Sequence, residues 1–111
     1  MIELDSTKLS AARFGELFSL STDEIASLAH VHVSTIVHAP DSERIQIYLH
    51  EIQRVIDAAL EISPELNKVC FFLKNAPICS FGYRTALTMV SEGKAEPVLQ
   101  YLHSVASGFV G

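Results

Sequence analysis

An all-α fold is what this chain of 111 residues predicts, and three observations carry that expectation. Apolar residues recur at three- and four-residue spacing through residues 45–62, the period of an amphipathic helix. Capping residues, prolines and glycines cut the remainder into short helical stretches. No stretch alternates apolar and polar residues as a half-buried strand would.

Residues 1–8 read as a loose lead-in. A first helix is expected from Ser10 to Phe18, with Leu9, Phe14, Leu17 and Phe18 on one side. Ser21-Thr22-Asp23-Glu24 is a capping box: the Ser21 hydroxyl takes the Glu24 amide and the Glu24 carboxylate reaches back. It starts a second helix through Ala29, with Ile25, Ala26 and Leu28 apolar. A break at His30-Val31 leads into a third helix from His32 to His38, ended by Pro40. Two short helices joined by a tight turn make the helix-turn-helix layout.

Asp41 or Ser42 caps the longest helix, which runs to about Ile62. Its stripe is Ile45, Tyr48, Leu49, Ile52, Val55, Ile56, Ala59 and Ile62, while Gln46, His50, Gln53, Arg54, Asp57 and Glu61 fall on the solvated side. Ser63 as cap and Pro64 at the first helical position restart the chain into a helix carrying Leu66, Val69, Cys70 and Leu73. Residues 75–84 form a loop marked by Pro77 and Gly82. Thr85 caps a short helix to about Ser91, closed by Gly93 in the left-handed conformation. A final helix, Ala95 to Ser107, buries Val98, Leu99, Leu102, Val105 and Ala106, exposes Gln100, His103, Ser104 and Ser107, and stops at Gly108.

Bulk properties narrow the function. Nearly half the residues are apolar, enough for a core. No apolar run approaches the ~20 residues of a membrane span, and no export signal opens the chain, so a cytoplasmic protein without membrane partners is expected. The net charge is −5: residues 1–50 hold three Lys/Arg against seven Asp/Glu, and residues 51–111 hold five against six. An acidic surface repels a phosphate backbone, so DNA is expected as a weak partner at most.

Two cysteines, Cys70 and Cys79, make neither a disulfide framework nor a four-ligand zinc site. Cys70 lies in the apolar run Val69-Cys70-Phe71-Phe72 and is expected inside as a small hydrophobe. His30, His32 and His38 are close in sequence, but spacings of two and six across a turn do not put three rings on one face, so no metal is expected. Gly-x-Ser-x-Gly elbows, phosphate-cradling glycine loops and His-Glu-x-x-His pairs are missing, and the chain reads as a non-enzyme without cofactor.

The third helix offers few groups to a base edge. Val33, Val37 and His38 point outward. His32, Ser34, Thr35, His38 and Arg44 are the candidate DNA contacts, Arg44 being the nearby permanent cation. Histidines add positive charge there when protonated. Two uses remain open for this segment: DNA contact through oligomers, or folding and dimerisation. The chain's end leaves a helix at Gly108 and presents Phe109 and Val110, which either cap the chain's own core or insert into a partner.

Several short motifs follow in order: Phe71-Phe72, Asn75-Ala76-Pro77, Phe81-Gly82-Tyr83-Arg84-Thr85, Glu92-Gly93 and Gly108 to Gly111. This order resembles the toxin-binding domain of the Xre/MbcA/ParS antitoxins, the partners of RES-domain toxins. Residues 20–36 are similar to the Xre helix-turn-helix, with His30 and His32 where that family often has Gly and Ser. The resemblance spans roughly residues 17–111. It implies an Xre-like helix-turn-helix with a long connecting helix over residues 1–62 and a small helical toxin-binding domain over residues 63–111. It implies an antitoxin that blocks the active site of a cognate RES-domain, NAD-consuming toxin, with Arg84, Thr85, Glu92, Gly93, Gly108, Phe109, Val110 and Gly111 nearest that partner. A homodimer that represses its own operon is implied as well. The alternative is a helix-turn-helix transcriptional regulator acting mainly through DNA. A third reading is a dimerisation adaptor whose Ile45–Ile62 stripe serves a partner helix, with Ile47, off the stripe, as an exposed contact.

Overall fold

A computed structural model describes residues 8–108 and contains seven α-helices there. They are α1 (Ala11–Phe18), α2 (Thr22–Ala29), α3 (Val33–His38), α4 (Glu43–Leu60), α5 (Leu66–Asn75), α6 (Ala86–Ser91) and α7 (Ala95–Ala106), with a 3-10 turn at Cys79–Phe81. No strand occurs among the described residues, only a single antiparallel bridge between Ile78 and Arg84. No helix among them is long and apolar enough to cross a membrane. The chain divides into two compact units, Met1–His50 and Glu51–Gly111, so the division falls inside α4 and not after it.

In the first unit the expected Ser21 capping box forms, and Ser10, expected as the first helical residue, is instead the cap of α1. The Ser10 hydroxyl accepts from the Arg13 N–H at 3.1 Å. Both arms of the Ser21–Glu24 box are present, at 3.2 Å and 2.8 Å. Gly15 allows α1 to approach closely: a Cβ there would meet Ile25 Cδ1 at 3.1 Å and Leu20 O at 3.2 Å. α2 ends on His30 in the left-handed conformation (φ +60°), with the Val31 N–H returning to Ala26 O at 3.0 Å. Phe14, Phe18, Ile25, Ile36, Ile45, Tyr48 and Leu49 are buried. Phe14 stacks edge-on against Tyr48, with ring centroids 5.7 Å apart, and burial raises the Tyr48 phenol's pKa.

Two expectations fail in this unit. Ser42 precedes α4, but its Oγ is buried without a hydrogen-bond partner among the described residues, so it caps by position and not by its hydroxyl. Gln46 is half-buried instead of solvated. Its amide donates to Leu9 O (2.9 Å) and Pro40 O (3.3 Å) and accepts from the Leu9 N–H (2.9 Å).

In the second unit, Ile52, Val55, Ile56 and Ala59 of α4 are buried, as are Val69, Cys70 and Leu73 of α5, Leu87, Met89 and Val90 of α6, and Val98, Leu99 and Leu102 of α7. Because the α4 stripe lies within the folded chain, the adaptor reading through that stripe falls; Ile47, off the stripe, is exposed. α4 stops at Leu60, which leaves Ile62 exposed and not in the stripe. The Ser63 N–H donates to Ala59 O at 3.1 Å, which ties Ser63 to the end of α4, and Glu65 takes the position before α5 that Ser63 was expected to fill. Val105 and Ala106 are exposed on the last turn of α7, although their spacing continues its buried face. Periodicity orients a helical face but does not say where its neighbours stop.

Cys70 is buried and its thiol pKa is pushed up by that burial, whereas Cys79 is exposed. In titration with a thiol reagent at neutral pH, one thiol per native chain, Cys79, is expected to react at once. The second is expected to react only at the rate of unfolding. Two equally fast thiols would place Cys70 at the surface.

Candidate partner-binding surface

The loop between α5 and α6 is closed by backbone bonds around buried Ile78. The Ile78 N–H donates to Arg84 O (3.0 Å), while Ile78 O accepts from the Phe81 (2.9 Å) and Tyr83 (3.0 Å) N–H groups. Closing so tight a turn needs two successive left-handed residues, Gly82 (φ +67°) and Tyr83 (φ +65°). Glycine takes that conformation without strain, whereas a tyrosine there costs about 1–2 kcal/mol. Tyr83 is 68% exposed, and its hydroxyl oxygen accepts from the Cys79 thiol at 3.5 Å.

Arg84 leaves this turn with its guanidinium held at two points. Nε donates to Glu92 Oε2 (3.2 Å) and Nη1 donates to Phe81 O (3.1 Å). Lys94 Nζ lies 3.8 Å from Glu92 Oε1, so one carboxylate serves two cations and the cluster is left with one surplus positive charge. These pairs are exposed and contribute little to stability. They fix the direction of the side chains.

Thr85 is half-buried and fully engaged as the cap of α6: its hydroxyl accepts from the Thr88 N–H (3.2 Å) and donates to Thr88 Oγ1 (3.1 Å). Gly93 (φ +80°) closes α6, with its N–H on Val90 O and the Lys94 N–H on Met89 O, both at 2.9 Å. Arg84, Thr85, Glu92 and Gly93 are thus gathered around the two ends of α6. Gly108 (φ +79°) stands at the end of α7 and makes none of those bonds. Phe109, Val110 and Gly111 lie outside the described residues.

Two concavities lie in the same unit. A groove of about 410 Å3 is bordered by Phe81, Pro97, Gln100, Tyr101 and Val105, with the Phe81 and Tyr101 rings 5.8 Å apart. An apolar pocket of about 270 Å3 is walled by Ile62, Val69, Phe72, Tyr101, Leu102 and Val105, which explains why Ile62 and Val105 remain partly open to solvent. Sequence reasoning missed Tyr83 and Lys94. An aromatic residue directly after a loop glycine was the available signal for Tyr83. Lys94 had none, because its place beside Glu92 depends on how α6 ends.

In the first unit, His32 occupies the position before α3 without a side-chain cap bond. Ser34, His38 and Arg44 are exposed, and Thr35 is half-buried. Val33 and Val37 are exposed apolar neighbours of Ser34 and His38, so α3 offers a mixed surface and not a basic one. Among the described residues no three His, Cys, Asp or Glu side chains gather as a metal site would require. No family model, curated protein or solved structure matches this chain.

Proposed function

We propose that this chain is an antitoxin that neutralises a RES-domain toxin by occupying the toxin's NAD-consuming site with the C-terminal unit. The observation that carries the reading is the ordered set of motifs between Phe71 and Gly111, four of whose residues (Arg84, Thr85, Glu92 and Gly93) are gathered around α6. Inhibition by occlusion needs no catalytic group. It needs a stable interface, about 1,600 Å2 in total, and at least one well-packed anchor. Tail residues Gly108, Phe109, Val110 and Gly111 belong to the same reading, as do a cytoplasmic homodimer and repression of its own operon. Co-expression with a RES-domain toxin, followed by measurement of NAD, is the test. NAD is expected to persist with the full chain and to be consumed when the chain ends at Gly108. Consumption of NAD with the full chain in excess sinks the reading.

A second reading, a transcriptional regulator acting through α2 and α3, is favoured by the tight turn at His30 and by exposed Ser34, His38 and Arg44. Its test is a mobility-shift titration on the chain's own promoter. With one permanent cation among the candidate contacts, binding is expected to be weak and to depend only shallowly on salt. Absence of a shift at low salt removes it.

A further inference from the structure

We infer that Tyr83 is the anchor of the partner-binding surface, a phenol ring carried on a strained turn that enters an acidic-rimmed cleft of the partner protein. The inference rests on the antitoxin reading and adds to it a residue and the charge of the surface it meets.

Three independent features converge on this residue. First, core packing does not call for the ring: it is 68% exposed, and its hydroxyl meets the exposed Cys79 thiol. Second, the backbone at Tyr83 is left-handed (φ +65°), where a bulky side chain is a conformational outlier and glycine or asparagine is at ease. A large, mostly exposed aromatic residue held against local backbone preference is the kind of strain found at binding sites. Third, its surroundings are preorganised. The turn is closed by three bonds to Ile78, and Arg84 is pinned to both Glu92 and Phe81 O. A ring on such a base loses little conformational entropy on docking, and tyrosine and arginine are the residue types that dominate interface energetics.

Charge identifies the kind of surface that fits. The chain as a whole carries −5, yet the cluster of Arg84, the residue after Tyr83, with Glu92 and Lys94 sums to +1. A partner cleft lined with carboxylates is attracted to this point while the rest of the chain repels it, which orients the encounter. A single surplus cation is too little for a polyanion such as nucleic acid, which favours a protein partner.

The test compares wild type, Tyr83→Gly, Tyr83→Phe and Lys94→Glu for binding to the RES-domain toxin that the wild type neutralises, by calorimetry, with thermal melting of each free chain. Tyr83→Gly removes the ring and relaxes the backbone together. Its affinity is expected to fall at least 30-fold, while its melting temperature holds or rises. Tyr83→Phe is expected to lose less than 10-fold, and Lys94→Glu, which reverses the surplus charge of the cluster, is expected to weaken binding at least fivefold. If Tyr83→Gly binds within threefold of wild type, or melts at a lower temperature, the anchor assignment is overturned and the antitoxin reading stands. Lys94→Glu binding within twofold of wild type overturns the acidic cleft. Failure of the wild type to bind removes both.

Discussion

Leu73→Ala is expected to destabilise the chain by about 2–5 kcal/mol, the largest loss of any single replacement considered. Leu73 is fully buried at 0% exposure, in the middle of the buried face of α5. Truncation removes its transfer free energy and leaves a cavity whose walls relax only in part. Small domains hold about 5–15 kcal/mol in total, so a large fraction of the native margin is at stake. Urea unfolding gives the measurement: the midpoint is expected to fall while the slope stays constant. Leu73→Met, which keeps the volume, is expected to cost less than about 1.5 kcal/mol. A loss under 1 kcal/mol for the alanine variant would mean that this site is not sealed.

Gln46→Ala is expected to cost about 1–3 kcal/mol. One side-chain amide satisfies both backbone groups of Leu9 and reaches Pro40 O, tying the residues before α1 to the first turns of α4. Its removal leaves the half-buried Leu9 N–H and carbonyl, and the exposed Pro40 carbonyl, without that partner. Gln46→Glu separates donation from acceptance. A carboxylate can still accept from the Leu9 N–H, but it turns an acceptor toward two carbonyl oxygens. That environment raises the folded-state carboxyl pKa above its unfolded value of about 4.3. The stability of the Gln46→Glu variant, relative to wild type, should therefore be fullest below that value and be lost as pH rises through the folded pKa. Equal stability of the two proteins from acid to neutral pH would show that the three bonds carry no weight.

Much of this architecture was legible because its determinants are local. Ser21 and Thr85 each cap an amide three residues on, and the partners of such caps are written beside them. The α4 stripe was legible for the same reason, since a helical face is a property of spacing. What escaped depends on distant residues. Gln46 looks solvated until Leu9, 37 positions away, arrives beside it. Ser63 has the composition of a cap but donates backward to Ala59, and Ile62 and Val105 continue apolar faces beyond their packing partners. At the candidate surface the types of Arg84 and Glu92 stood out, but not their pairing across α6 or the second cation of Lys94. Thr85 was legible as a cap, and that is how its hydroxyl is spent. Left-handed Tyr83 follows from the closure of a turn around Ile78, which no propensity of tyrosine announces.

The contrast between the two sulfurs sets how the purified protein behaves in air. With Cys70 sealed inside and Cys79 outside, each native molecule is monovalent toward oxidative coupling. Two molecules can be joined by one bridge, but a third finds no attachment point. On a non-reducing gel of an aged sample, a covalent dimer is therefore compatible with intact protein, whereas any ladder above it reports molecules that opened during storage.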